Sequence, residues 1–388
     1  MRFCSAAAAG DDVDDVCRSI ANQVRGDLGA GPIDLLVTFA AVRPSGELER
    51  LPVAMHEHLA PRTSVGCTGR PLLAQTERRG EPGAVVALAG RLPGAAAHAV
   101  ALQDADLPDP DAPPSAWRAL LPTDEPVRGL LVLCEPSRCD VRALLPGLDF
   151  AWPGVPKVGG LASGSRTSEG HVLFAGRQAH RSGAVLVALT GDVRLQPIVA
   201  QGCRPIGRSG RITRVHENRV EAIDEKPARR FVEEQLSGLG EHDLAMAAGN
   251  PLFLGLASDP FAVATPAAGE YLVRNILGID PRSGGLLVGD RPTVGRQVRL
   301  HLRDRDSSNQ DFAAMVRRSQ PASAAAALLF RCVARDGDEH RQIAAAAGGL
   351  PLIGFHCNGE IGPVADTTYL HAYTAAVALL RRPEGPRA

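Results

Sequence analysis

The sequence predicts an α/β fold of two packed modules, with mixed β-sheets and outer helices. Three observations carry that reading. Apolar runs at 35–39, 129–134 and 327–332 are continuous rather than alternating, which suits strands covered on both faces. A helical stretch follows each run, so strands and helices alternate. A strand ending in a Gly-containing turn then recurs at 64–69, 158–164 and 352–360. The pattern is a divergent strand-helix-strand-strand repeat, met three times.

In chain order, the first repeat runs from 35–39 through an amphipathic stretch at 48–59 and the turn at 64–69 to a buried strand at 84–90. The second has 129–134, a helix near 141–145, 158–164 and 183–191. The third has 327–332, a helix near 340–347, 352–360 and 374–380. Between the second and third, 211–215 and 219–223 alternate apolar and polar residues around His216, Glu217 and Asn218, a hairpin signal. Pro227 opens a helix reaching Leu236, with Gly238 just past its end. Strands are expected at 253–256, 271–276 and 297–302, and a helix at 310–317. Residues 103–126, rich in Pro and Asp, read as a surface loop. The expected organisation is an N-terminal extension at 1–29, modules at 30–210 and 211–380, and a tail at 381–388.

The 388 residues allow two or three domains at about 100–200 residues each. The 42 basic and 43 acidic residues nearly cancel, which argues against a nucleic-acid or acidic-lipid footprint. Aromatics make up 4%, too few for base-stacking platforms. Eight dispersed cysteines fit free intracellular thiols better than a disulfide framework. The Ala-rich start is followed by Asp11, Asp12, Asp14 and Asp15 and lacks a convincing leader pattern. No run approaches the ~20 apolar residues of a membrane span. The expectation is a cytoplasmic protein without membrane or nucleic-acid partners. His56 and His58 lack metal-site spacing, Cys134 and Cys139 lack a second ligand pair, and P-loop, GxSxG and GxGxxG patterns are missing. Neither a metal nor a cofactor is expected.

The stretch Gly354-Phe355-His356-Cys357-Asn358-Gly359-Glu360-Ile361-Gly362-Pro363 resembles the signature of the FIST family, G-F-F-C-N-G-E-I-G-P, with His at position 356 in place of Phe. The resemblance extends through residues 271–275, Arg303, Asp304 and 371–380. It also covers the amino-terminal half, at Val65-Gly66-Cys67-Thr68, 158–162 and 201–207. It implies a two-module protein that binds a small ligand, an amino acid or a derivative, and works in intracellular signal transduction beside a signalling partner.

Gly354, Gly359 and Gly362 let the backbone turn and approach a ligand closely. Asn358 offers a donor and an acceptor, and Glu360 an acceptor for an amino group. Arg274 and Asn275 end an apolar strand, where an arginine suits bidentate carboxylate capture. Arg303 and Asp304 sit at another strand end, and His371 follows the signature. The candidate ligand set is therefore Arg274, Asn275, Arg303, Asp304, Cys357, Asn358, Glu360 and His371. Cys357 with His371 or His356 as base would instead make a cysteine-dependent hydrolase or transferase. An interaction scaffold like the F-box relatives is the third reading. Cys67 is expected to correspond to Cys357, with Gly160 or Ala162 in the second repeat.

Overall fold

Each apolar run becomes a central strand of its own sheet. The computed structural model describes residues 1–43, 47–167, 170–259, 261, 264–266, 268–335 and 337–383, so the end of the expected tail, 384–388, lies outside the described residues. The first repeat holds β1 (Arg2–Ala8), α1 (Val13–Leu28), β2 (Leu35–Ala40), α2 (Glu47–Leu59), β3 (Thr63–Thr68), a hairpin of β4 (Leu72–Ala74) and β5 (Glu77–Arg79), and β6 (Val85–Arg91). The second holds β7 (Ala95–Leu102), α3 (Pro114–Arg118), β8 (Val127–Cys134), α4 (Val141–Ala151), β9 (Lys157–Leu161), a hairpin of β10 (Leu173–Ala175) and β11 (Gln178–His180), and β12 (Ala184–Gly191). The third opens with β13 (Arg194–Ala200) and is then interrupted. The insertion carries β14 (Cys203–His216), β15 (Arg219–Ile223), β16 (Lys226–Pro227), α5 (Ala228–Ser237), α6 (Glu241–Gly249), β17 (Leu252–Ala257), β18 (Tyr271–Ile279), β19 (Leu286–Val288) and β20 (Gln297–Arg303). The repeat resumes with α7 (Arg305–Arg318), β21 (Ala326–Cys332), α8 (Glu339–Ala347), β22 (Leu352–Cys357), a hairpin of β23 (Glu360–Val364) and β24 (Thr367–His371), and β25 (Ala375–Arg381).

The three repeats share one pairing scheme. Two strands joined by a helix run parallel: β2 with β3, β8 with β9, β21 with β22. The closing strand lies antiparallel on the first of these, as β6 on β2, β12 on β8 and β25 on β21. The opening strand covers its far edge, as β1 on β6, β7 on β12 and β13 on β25. The hairpins are exchanged. β4–β5 adds to β22, β10–β11 to β3, and β23–β24 to β9, so each sheet is completed by a different repeat in a closed cycle.

One glycine per repeat is demanded by this pairing. Gly66, Gly159 and Gly354 lie in parallel register with Thr38, Val132 and Leu329. A Cβ on them would fall 1.8, 1.7 and 2.1 Å from that partner's carbonyl oxygen. These positions align the repeats residue by residue.

The inner faces of the three sheets bury a common core that includes Phe39, Leu133, Leu173, Phe330 and Phe355. The Phe39 and Phe355 ring centroids are 4.7 Å apart. Helices cover the outer faces. Val16, Ile20 and Val24 of α1 pack with Leu51 and Met55 of α2, and Trp117 of α3 packs with Leu144 and Leu148 of α4. Asp12 caps α1 through the Asp15 amide at 2.8 Å, and Asp140 caps α4 through Ala143.

The chain forms two compact units, 1–200 with 313–388, and 201–312, which differ in their bounds from 30–210 and 211–380. The reason is the third sheet, whose edge strand β13 precedes the insertion while its other strands of that repeat follow it. Residues 1–29 supply β1 and α1 to the first repeat rather than a separate extension. Within the expected loop at 103–126, α3 forms because Trp117 is buried. The 201–312 unit is built on antiparallel strands in the order β14-β20-β17-β18-β19-β15, and β14 also pairs with β15, closing a barrel. Phe253, Tyr271 and His301 are buried on one face of its strands, and Leu300 is buried on the other.

Candidate functional site

Threefold repetition supplies an internal control for every residue of the core unit. Leu72 pairs with Phe355, Leu173 with Cys67, and Glu360 with Gly160, each at the first hairpin position and one residue past the aligned glycine. Two repeats therefore bury a leucine where the third buries a carboxyl. Glu360 is 0% exposed. By the same alignment Cys357 corresponds to Gly69 and Ala162, whereas Cys67 corresponds to Phe355. The expected match of Cys67 with Cys357 is thus corrected by two residues, because the glycine of the close approach, not the thiol, sets the register.

Glu360 opens β23 and accepts the Cys357 thiol on Oε1 at 3.2 Å and the Thr374 amide on Oε2 at 2.9 Å. Cys332, the register partner of Cys357, also donates to it. Burial pushes the Glu360 carboxyl up to about 8, opposed by these hydrogen bonds and by the Arg335 charge. Burial and the neighbouring carboxyl hold the Cys357 thiol well above its ordinary value. Its second acceptor is the Arg331 carbonyl at 3.4 Å. Gly160 leaves the room: a Cβ there would lie 3.2 Å from Cys357 Cβ and from the Phe330 ring.

The loops that follow β3, β9 and β22 close a ring around this end of the core. Ser163 N donates to Thr68 O at 3.0 Å, Asn358 Nδ2 to Ala162 O at 2.9 Å, and His356 N to Pro71 O at 2.9 Å. Ser163 Oγ also donates to His356 O. These are the carboxyl ends of the parallel strands, where open α/β sheets commonly bind ligands.

On the other face of β21 and β22 lies a buried charged cluster. Arg331 bonds His356 Nε2 at 2.6 Å and pairs with Glu339 at 2.9 Å, and Arg335 Nε also bonds Glu339. Arg335 Nη1 donates to Ala200 O at 3.1 Å and Tyr373 O at 3.2 Å. Burial and Arg331 bring His356 down to about 3, so its neutral ring accepts from the guanidinium. Sequence reasoning missed Arg331, Arg335 and Glu339. An arginine inside an apolar strand run was the available signal.

The predicted residues thus fall in two places. Cys357 and Glu360 touch, Asn358 joins the adjacent loop, and His371, in register with Glu360, has Nε2 3.0 Å from Gly362 O. The group facing the Cys357 thiol is a carboxyl, where the alternative cysteine-dependent enzyme would need an imidazole from His371 or His356. In the other unit, Arg274 Nε bonds Asp290 at 2.8 Å, and Asn275 O accepts from the Gly289 amide. Arg303 pairs in register with Cys203. Asp304 accepts the Asp306 amide at 3.0 Å and the Ser307 hydroxyl, which lowers its carboxyl, and so caps α7.

Among the described residues, no cluster of His, Cys, Asp and Glu could hold a metal ion, and no helix is long and apolar enough to cross a membrane. Fold and site define a class: an α/β core of three repeats with an inserted antiparallel barrel, in which Glu360 is buried where the other two repeats bury Leu72 and Leu173. Comparison with known proteins then places it. The FIST N domain matches residues 34–226 and the FIST C domain residues 229–363, and the chain belongs to the FIST family. Uncharacterized protein Mb0898c of Mycobacterium bovis is 30% identical over 92% of this chain and 93% of its own. Uncharacterized protein Rv0628c of Mycobacterium tuberculosis is 28% identical over 98% and 99%. FIST domains are associated with sensing in signal transduction.

Proposed function

We propose that this is a small-ligand-binding sensory protein of intracellular signal transduction, with an amino acid or a related metabolite as its ligand. The observation that carries the reading is the broken repeat: Glu360 stands where Leu72 and Leu173 stand elsewhere, beside Cys357 and Gly160. A buried carboxyl is costly to keep unless it serves something, and function is where such violations of packing concentrate. On this reading the ligand's ammonium meets Glu360, with Asn358 and His371 beside it, and Cys357 lines the site. Taken by itself, the 201–312 unit has in Arg274, whose Nε bonds Asp290, an arginine suited to a carboxylate. The cysteine-dependent hydrolase or transferase has less support, since the thiol is held protonated against a carboxyl.

Thermal-shift screening against amino acids and related metabolites tests the proposal, because a ligand bound to the native state raises the unfolding temperature. The expected result is a saturable shift for one ligand class, lost in Glu360→Gln. Ammonium capture should also ionise Glu360, so calorimetry in buffers of different ionisation enthalpy should detect a released proton near neutral pH. A panel without any shift, or an equal shift in Glu360→Gln, overturns the reading.

A further inference from the structure

The first two repeats differ in how they fill the space between their outer helices. Arg25 in α1 donates through Nη2 to His58 O of α2, and Arg118 in α3 donates through Nε to Ala151 O of α4 at 2.9 Å. Counting back from the aligned glycines Gly66 and Gly159, His58 meets Ala151 and Leu59 meets Trp152. The residue before each arginine is Val24 in α1 and Trp117 in α3. The second repeat thus places both tryptophans of the protein where the first has Val24 and Leu59. Trp117 is 3% exposed and lies over Gly147, where a Cβ would fall 2.1 Å from the indole, and Trp152 packs against the same cluster. The first repeat instead leaves a hollow of about 270 Å³ between the C-terminal ends of its two helices, lined by Val24, Ile33 and Leu59 and by Arg25. Protein interiors pack closely, so a hollow that the sister repeat fills with indole is room for a ligand.

The polar groups at the hollow set the ligand's charge. Among the described residues, the Arg25 guanidinium has a carbonyl partner and no carboxylate. Arg91 Nη2 covers the wall carbonyls of Gly29 and Ala30 at 2.9 and 2.8 Å, and Gly31 leaves it room, since a Cβ there would lie 3.0 Å from Nη2. The acids closest in sequence are Asp27, exposed on α1, and Asp34, which is taken by Arg62 at 3.3 Å and by the Leu92 amide at 2.7 Å. We propose that this hollow binds a small aromatic carboxylate, its ring lying where the second repeat has tryptophan and its carboxylate held by Arg25. An apolar wall takes the ring, and a guanidinium with donors to spare takes the charge. The site lies by the amino ends of β2 and β3, whereas Glu360 lies with the carboxyl ends of the parallel strands. It stands independently of the amino-acid reading.

The test follows the unfolding temperature of the full chain with indole-3-acetate, with indole and with sodium acetate. Saturable stabilisation by indole-3-acetate is expected, and none by acetate. Affinity should be about fivefold weaker in Arg25→Gln, and about fivefold weaker for indole, which lacks the carboxylate, as suits an exposed ion pair. Leu59→Trp rebuilds the second repeat's packing in the first and should remove the response. Crystals soaked in 5-bromoindole-3-acetate give a readout that needs no variant: an anomalous peak between Val24, Ile33 and Leu59. An undiminished response in Leu59→Trp, with the bromine peak elsewhere, overturns the site. Equal affinity in Arg25→Gln overturns the carboxylate contact. A wild-type protein that indole-3-acetate does not stabilise, with no bromine peak in the hollow, overturns the proposal as a whole.

Discussion

Leu173 and Glu360 hold the same place in two repeats of one fold, and the contrast separates scaffold from site. Leu173 lies opposite Cys67 in the common core and fills it. Glu360 lies opposite Gly160, whose missing side chain admits the carboxyl and the Cys357 thiol. The repeat geometry is maintained in both, so the fold does not require polarity at this position. What differs is one layer of side chains. The lesson is that the scaffold is held by the aligned glycines and apolar strands, while chemistry enters by replacing single packing residues.

The largest expected effect breaks the part that the repeats share. Gly159→Ala places a Cβ 1.7 Å from the Val132 carbonyl oxygen, which only backbone movement can relieve. A loss of more than about 3 kcal/mol, or failure to fold, is expected in urea unfolding, since overpacking against backbone exceeds ordinary core strain. Gly154→Ala is not the right control, because φ there is +71°; Gly26, with open space around it inside α1, is.

A smaller effect sharpens the difference between repeats. Glu360→Leu makes the third repeat like the other two. With the folded carboxyl at about 8 and its ordinary value at 4.5, the unfolded chain ionises first. Wild-type stability therefore falls as pH rises from about 4.5 to about 8, on the order of a few kcal/mol in all, and levels off above. Unfolding across that range should show this fall in the wild type and not in Glu360→Leu. An identical pH profile for the two would remove the buried proton from the account. The smallest effect belongs to Cys357→Ala, expected to cost about 1–2 kcal/mol for the lost sulfur contacts while leaving ligand response in place. Loss of ligand response in that variant would give the thiol a direct role.

Much of this was legible in the sequence, for physical reasons that differ by element. Continuous apolar runs marked β2, β8 and β21, because strands covered on both faces need no alternation. The 211–223 hairpin was legible too, and appears as β14 and β15 with His216 and Arg219 in register. The edge strands β1 and β7 were hidden. They are alanine-rich, so they resemble a leader or a helix more than a strand. The hairpin exchange was illegible as well, since short strands such as β4 and β10 carry no mark of which sheet they join. For the site, the signature pointed to Cys357, Asn358 and Glu360, two of which touch. The Arg331–Glu339–Arg335 cluster was missed because burial, which gives those charges their meaning, is a property of the packed sheet and helix.

The cyclic exchange of hairpins makes this single chain the covalent equivalent of a three-subunit ring. Each repeat donates an edge to one neighbour and receives one from the other, which is a head-to-tail contact that closes after three steps. A lone repeat would be left with a donor hairpin and an unfilled sheet edge, and would complete itself by joining two further copies. Linking the copies in one polypeptide frees them from identity. A carboxyl placed in one repeat is no longer imposed on the other two, which is how a ring of like parts can bury Glu360 where its fellows bury leucine.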